Sequence, residues 1–478
     1  MINHFFKIPP LWGAGGQRGG FAALPASISF FHSFTLSFFH SFTFPLFLRS
    51  VSVSLFVILC SLNFAFAGNG LSDDPDPGPN GVDTKLIKAL MNAHPEMFAD
   101  IMKMAVQREV QIIYTQINRD KDNKPTLTKY SFRLDPTQYF YPASTVKLAT
   151  LATALEKINR MGIPGFTKYS RMEIDSAYDC QTPVKYDSTS ETKYASLANY
   201  IKKILLISNN DAYNRVYEFC GQEYLNKRLW ELGYPTIRIL TRFFSTCDTL
   251  SNRYTPPMRF FDGKGKIVYQ QPMAYNPVQF KNPLGVVKKG LGYMDGWGRI
   301  IKQPKDWTYG NYFCLEDIHD ILVSLIFPQC VPKEKRFLLT DDDFKFIHKY
   351  MSLYPRECEF PQYCPEDGYI DSWKKYLFYG TMKNYIDNDK MRIFNIVGQA
   401  WGYLTDVAYI CDFESKTEFF LAATIYTNNK PILDGKYENE KVGFPFLANL
   451  GQLIYLYEKN RKKAFLPNLD EFKVQGNN

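Results

Sequence analysis

Ser144 and Lys147 stand three residues apart in Phe140-Tyr141-Pro142-Ala143-Ser144-Thr145-Val146-Lys147, directly ahead of the apolar run 148–155. Pro142 suits a chain turning into a helix, and residues three apart on a helix share a face. A serine hydroxyl is a weak nucleophile until a neighbouring base takes its proton. A lysine amine becomes such a base when burial or a helix N-terminus lowers its pKa. One helix start therefore holds the parts for nucleophilic attack on a carbonyl.

The spacing alone is common. Ser190-Glu191-Thr192-Lys193 and Ser372-Trp373-Lys374-Lys375 repeat it. Ser190 lies in a polar Ser/Thr-rich loop, and no strands lead into Ser372. Only Ser144 follows two strand patterns, over 110–117 and 127–134 around the polar turn 120–124, and opens an apolar helix reaching about Arg160. Ser208-Asn209-Asn210 comes 64 residues after Ser144, between helical patterns over 200–206 and 212–219. Alone, that triplet reads as a helix N-cap.

The positioning elements follow from periodicity. Residues 84–104 have helical spacing, and 315–327 and 341–350 are further helices. A hairpin is expected across Asp262-Gly263-Lys264-Gly265. The strand patterns 393–403, 406–413 and 419–426 are joined at Leu404-Thr405 and over 414–417, and 441–459 is a closing helix. A helix and two strands begin this part and three strands and a helix end it. One antiparallel sheet of about five strands, built from both ends with a helical domain inserted, fits that order. The expected organisation is a leader over 1–67, a Gly/Pro/Asp-rich linker over 68–83, one domain over 84–460 and a tail over 461–478. Within the domain the sheet part is 84–143 with 391–460, and the helical part is 144–390.

The 478 residues are 45% hydrophobic and 22% charged, ordinary for a globular protein. Once Lys7, Arg18 and Arg49 of the acid-free leader are set aside, 53 basic residues face 48 acidic ones, a net of +5. That balance, with no basic stripe, argues against nucleic acid as a partner. Arg49, the mostly apolar run 50–66 and Ala65-Phe66-Ala67 read as a secretory signal cut after Ala67. An uncleaved membrane anchor over 50–66 and a lipoprotein cysteine at Cys60 are the rival readings. Because the basic n-region begins near Arg49, residues 1 to about 45 are expected to lie upstream of the true start. Nine cysteines are present, eight beyond the leader, and Cys358 and Cys364 have a spacing that a disulfide could close. No Cys-x-x-Cys or matching His spacing points to zinc, so no metal or cofactor is expected.

Taken in order, these motifs resemble class A β-lactamases and their relatives the penicillin-binding proteins, which carry Ser-x-x-Lys, Ser-Asp-Asn and Lys-Thr-Gly. The resemblance spans about residues 84–460. It implies the α/β fold of that family, an antiparallel sheet flanked by helices with an inserted helical domain. It also implies a secreted or periplasmic monomer with no membrane insertion after cleavage, which forms an acyl-enzyme with a small-molecule or cell-wall peptide substrate. By the same resemblance Ser144 is the nucleophile, Lys147 the base, Ser208 the proton relay and Asn210 a hydrogen-bond partner of substrate and Lys147. The N–H groups of Ser144 and Gln399 form the oxyanion hole, each such donor worth about 3 kcal/mol. Substrate contacts fall on Ile396, Val397 and Gly398. This chain departs from the pattern there, since Ile396-Val397-Gly398 replaces Lys-Thr-Gly, and no Glu-x-x-Leu-Asn follows Asn210 to support fast deacylation. Residues 240–300 read as an insertion. β-Lactam hydrolysis is the family expectation, and an Ile396→Lys change is expected to speed acylation by penicillin. Slow carboxypeptidase or esterase chemistry is one alternative, and non-catalytic recognition of cell-wall peptide on the same fold is another.

Overall fold

A computed structural model describes residues 84–243, 245–383, 386 and 390–473. The leader, its cleavage site and the linker lie outside the described residues. The periodic region 84–104 forms two helices, α1 (Lys85–Asn92) and α2 (Pro95–Lys103), because Pro95 starts a new helix at its first position. Strands β1 (Gln111–Arg119) and β2 (Pro125–Phe132) follow. The Ser144 stretch is a 3₁₀ turn, Ala143–Thr145, that runs into helix α3 (Val146–Met161). After strand β3 (Arg171–Ile174) come α4 (Leu197–Ile207), α5 (Asn210–Cys220) and α6 (Gln222–Glu231).

Strands β4 (Met258–Phe261) and β5 (Ile267–Gln271) form the expected hairpin and pair with β3 in a small sheet. The middle of the chain is thus not purely helical, since several further short strands lie between 254 and 306. Helices α7 (Leu315–Ile326) and α8 (Asp341–Ser352) precede three ten-residue strands, β6 (Met391–Ala400), β7 (Tyr403–Asp412) and β8 (Thr417–Tyr426). Helix α9 (Phe444–Asn460) closes the chain.

The main sheet runs β6-β7-β8-β1-β2, antiparallel throughout, with Ile113 opposite Ala422 in the join between the two ends of the chain. Adjacent residues of β1 show its two faces. Tyr114 donates to Glu458 of α9 on one, and Thr115 meets His319 of α7 at 2.9 Å on the other. The largest apolar core lies on the α7 side, around α3.

Two local expectations are corrected. The β6–β7 turn is Trp401-Gly402, not Leu404-Thr405. Both turn residues have positive φ (55° and 83°), as a tight two-residue hairpin requires. Cys358 and Cys364 are both free, because Cys358 is packed into a small apolar cluster with Leu206, Ile207 and Tyr363. The disulfide is Cys180–Cys247. The presumed tail also reaches inward, since Leu469 and Phe472 are buried in the main core.

Candidate active site

Helix α3 is buried on nearly every side, which holds its first turn rigidly. Ser144, in the turn before it, is partly exposed, and its hydroxyl has no hydrogen-bond partner among the described residues. Ala143 beside it has φ 46°, a left-handed conformation costing an alanine about 1–2 kcal/mol and of a kind that gathers at functional sites.

Lys147 is 0% exposed. Its Nζ contacts Ser208 O at 2.5 Å, Ser208 Oγ at 3.1 Å and Asn210 Oδ1 at 2.7 Å. The first and second motifs thus converge, although they are separated by more than sixty residues. The convergence has a local cause. Helix α4 ends at Ser208, which takes the left-handed conformation (φ 56°), and Asn209 caps α5 by accepting the Ala212 N–H. That tight reversal turns the Ser208 carbonyl and hydroxyl and the Asn210 amide toward one point. Burial, and then the charge of Lys374, holds the Lys147 ammonium well below the usual lysine range. The rings of Tyr213 and Phe243 lie 5.9 and 5.6 Å from it. A hydroxyl can accept from an ammonium or donate to a neutral amine, so Ser208 is the partner through which a proton can pass in either direction.

Strand β6 borders the site as an edge strand. A Cβ at Gly398 would lie 2.5 Å from Pro142 O and 3.3 Å from the Ala143 Cβ, so a glycine is needed for the strand to approach the Ser144 turn. Gln399 follows at the partly exposed end of the strand, with its side-chain Oε1 accepting from Tyr376 OH at 3.0 Å. Ile396 is 0% and Val397 3% exposed, and Ile396 belongs to the main core. Of the residues expected to touch substrate, Gly398 borders the Ser144 turn, while the other two are buried. Beyond them stands an aromatic wall. Tyr141 lies 5.5 Å from Trp307, Trp307 lies 5.9 Å from Trp401, and the half-buried Lys305 ammonium lies over Trp401 and Tyr293 at 5.2 and 4.5 Å.

Sequence reasoning missed Lys374. It lies in the stretch Ser372-Trp373-Lys374-Lys375, whose serine is buried and donates to Met382 O at 2.6 Å. The lysine after it contacts the end of α4. A charged pair within an otherwise apolar and aromatic stretch was the available signal. Asp406, on β7, accepts from Leu377 N–H at 2.9 Å and Asn395 Nδ2 at 2.8 Å, and burial pushes its carboxyl up to about 7. Among the described residues no cluster of three His, Cys, Asp or Glu side chains is arranged to hold a metal ion.

Residues 96–260, which include the Ser144 turn, Lys147 and the Ser208–Asn210 junction, match the model of the beta-lactamase enzyme family. The match is to this segment of the chain. No curated protein matches the sequence. Solved structures similar to the chain include PBP-A (11% identity, 76% of this chain and 96% of that one, TM-score 0.42). A beta-lactamase from Desulfarculus baarsii (11%, 79% and 98%, 0.41) and one from Sphaerobacter thermophilus (11%, 78% and 99%, 0.40) are also similar. The beta-lactamase-like motif order and the sheet built from both chain ends agree with the family match.

Proposed function

We propose that the chain is a secreted serine hydrolase that transfers an acyl group to Ser144. The observation that carries this reading is the wholly buried Lys147, held by Ser208 and Asn210 one helical turn from a partly exposed serine. In this reading neutral Lys147 takes the Ser144 proton through a water or Ser208, and Oγ bonds to the substrate carbonyl carbon. The oxyanion is met by the Ser144 and Gln399 N–H groups. Ser208 returns the proton to the leaving nitrogen or oxygen, the bond to carbon breaks, and water later hydrolyses the acyl-serine.

β-Lactams are the substrate class that the family suggests. The absence of a Glu-x-x-Leu-Asn segment supports slow release, as in a carboxypeptidase or esterase. The cation at Lys305, beside Trp401, supports a reading in which a substrate carboxylate is met near the end of β6 rather than at position 396. Secretion is supported by the signal-like segment before Ala67 and by the Cys180–Cys247 disulfide, a bond that persists in oxidising compartments. Among the described residues no helix is long and apolar enough to cross a membrane.

The second reading, a non-catalytic binder of cell-wall peptide, is favoured by Ile396, which removes the cation that relatives carry there. Incubation with labelled penicillin and with a fluorophosphonate separates the two. Label on the wild type that is lost in Ser144→Ala supports the hydrolase, and no label from either probe supports the binder.

A further inference from the structure

Helix α4 delivers Ser208 to the site, and beyond Ile204 O, which accepts from Ser208 N–H at 3.0 Å, its last carbonyls have no partners within the helix. Side chains meet three of the carbonyls at this end. Lys374 Nζ donates to Leu205 O and approaches Ile204 O at 3.4 Å. Trp373 Nε1 donates to Ile207 O at 3.3 Å, and Lys147 Nζ takes Ser208 O. Two lysines therefore share the negative end of one helix. Lys374 is also held from behind. Its carbonyl accepts from Asn395 Nδ2 on β6, three residues before Gly398, and its backbone is left-handed (φ 66°). One residue thus ties the strand that borders Ser144 to the helix end that presents Ser208.

We propose that Lys374 is a positioning residue for acyl transfer, which fixes Ser208 against Lys147 and uses its own charge to keep the Lys147 amine free to accept a proton. The inference rests on the acyl-transfer reading. It locates, on the loop 371–376, a second cation that position 396 does not provide. Among the described residues the groups facing Lys147 are few. Ser208 and Asn210 face it from the α4–α5 junction, the neutral Tyr213 from α5, and Lys374 from the loop. Lys374 itself faces Asp406 of β7 and Lys375, and burial lowers it to about 7. It is therefore charged on the acidic side of neutrality, where Lys147 most needs help to stay unprotonated.

The test is the pH dependence of Ser144 modification by a fluorophosphonate, read by intact mass between pH 5 and pH 9, in the wild type, Lys374→Met and Lys374→Arg. Loss of the neighbouring charge raises the pKa of Lys147, so the rising limb of the Met variant should move up by about one pH unit. Its rate should fall about tenfold below the wild-type midpoint and converge with the wild type well above it. The Arg variant, which keeps the cation, should keep the wild-type midpoint. If Lys374→Met does not melt cooperatively, Lys374→Gln carries the same expectation. Lys375→Met is the control, since the Lys375 ammonium turns to Met351 O, Ile393 O and Asn395 Oδ1 instead. It should leave the midpoint in place. A rate loss uniform across pH, or an unchanged midpoint in the neutral variants, would overturn the role of Lys374. A wild type that no acyl probe modifies is a different result and removes the acyl-transfer reading together with this inference.

Discussion

Lys147 is the residue on which the chemistry turns. Without it Ser144 keeps its place but loses the amine that takes its proton, and general-base catalysis typically contributes about 10²–10⁴-fold. Lys147→Ala should lower the rate of acylation by that factor, measured by stopped-time labelling, while circular dichroism stays native. Because the base acts when unprotonated and its pKa is depressed, the wild-type rate should rise with pH through a midpoint well below that of an ordinary lysine. A midpoint near the ordinary lysine value would contradict this assignment. Ile396 calls for a different expectation from the one the motif comparison suggests. The side chain is fully enclosed in the core, so Ile396→Lys places an ammonium among apolar side chains. The expected outcome is a loss of stability on the order of 3 kcal/mol, read by urea denaturation, instead of faster acylation by penicillin. An unchanged midpoint with faster acylation would mean that position 396 opens to the site.

At the scale of elements, the close pass of β6 by the Ser144 turn is the contact that assembles the site. Gly398→Ala would drive a methyl group to within 2.5 Å of Pro142 O, and neither strand nor turn can yield without moving Ser144 or Gln399. Overpacking of this kind costs about 1–3 kcal/mol. Acylation should therefore fall by more than the thermal midpoint suggests, and a variant with wild-type labelling would refute the close approach. The elements also mark how far the sequence could be read. The Ser144 helix, the Ser208–Asn210 junction, the five sheet strands and their antiparallel order were legible, because strands buried on both faces stand out as apolar runs rich in β-branched and aromatic residues and helices as 3.6-residue spacing. The β6–β7 turn was misplaced because Trp401 gives no sign that it will take a positive φ, so the first strand was carried through it to Tyr403 and the turn fell on Leu404-Thr405, which belong to β7. The role of Lys374 was not legible either. Its contacts with Leu205 and Asn395 join segments far apart in sequence, and its motif looked like a chance copy of Ser-x-x-Lys.

At the scale of the whole molecule, two long-range ties hold the insertion and the chain end to the core. Cys180–Cys247 closes a loop with a sequence separation of 67. Loop-closure entropy for that length corresponds to about 4 kcal/mol at 25 °C. The double substitution Cys180→Ser and Cys247→Ser should lower stability by up to that amount in urea, and an unchanged unfolding midpoint would mean that the bond does not form. The second tie is Phe472, which packs edge-on or tilted against Phe327, Phe394 and Tyr409 although it lies beyond the closing helix. Composition marks 461–478 as a tail, and only the packing shows that Leu469 and Phe472 complete the core.

These scales meet at Ser144, whose acylation is the central claim. The most direct test is intact-mass spectrometry of the mature protein after incubation with penicillin and with a fluorophosphonate, followed by peptide mapping. The account predicts one adduct per chain, on Ser144, formed by at least the fluorophosphonate and absent in Ser144→Ala. An adduct on another serine, or none in a folded wild type, would contradict it.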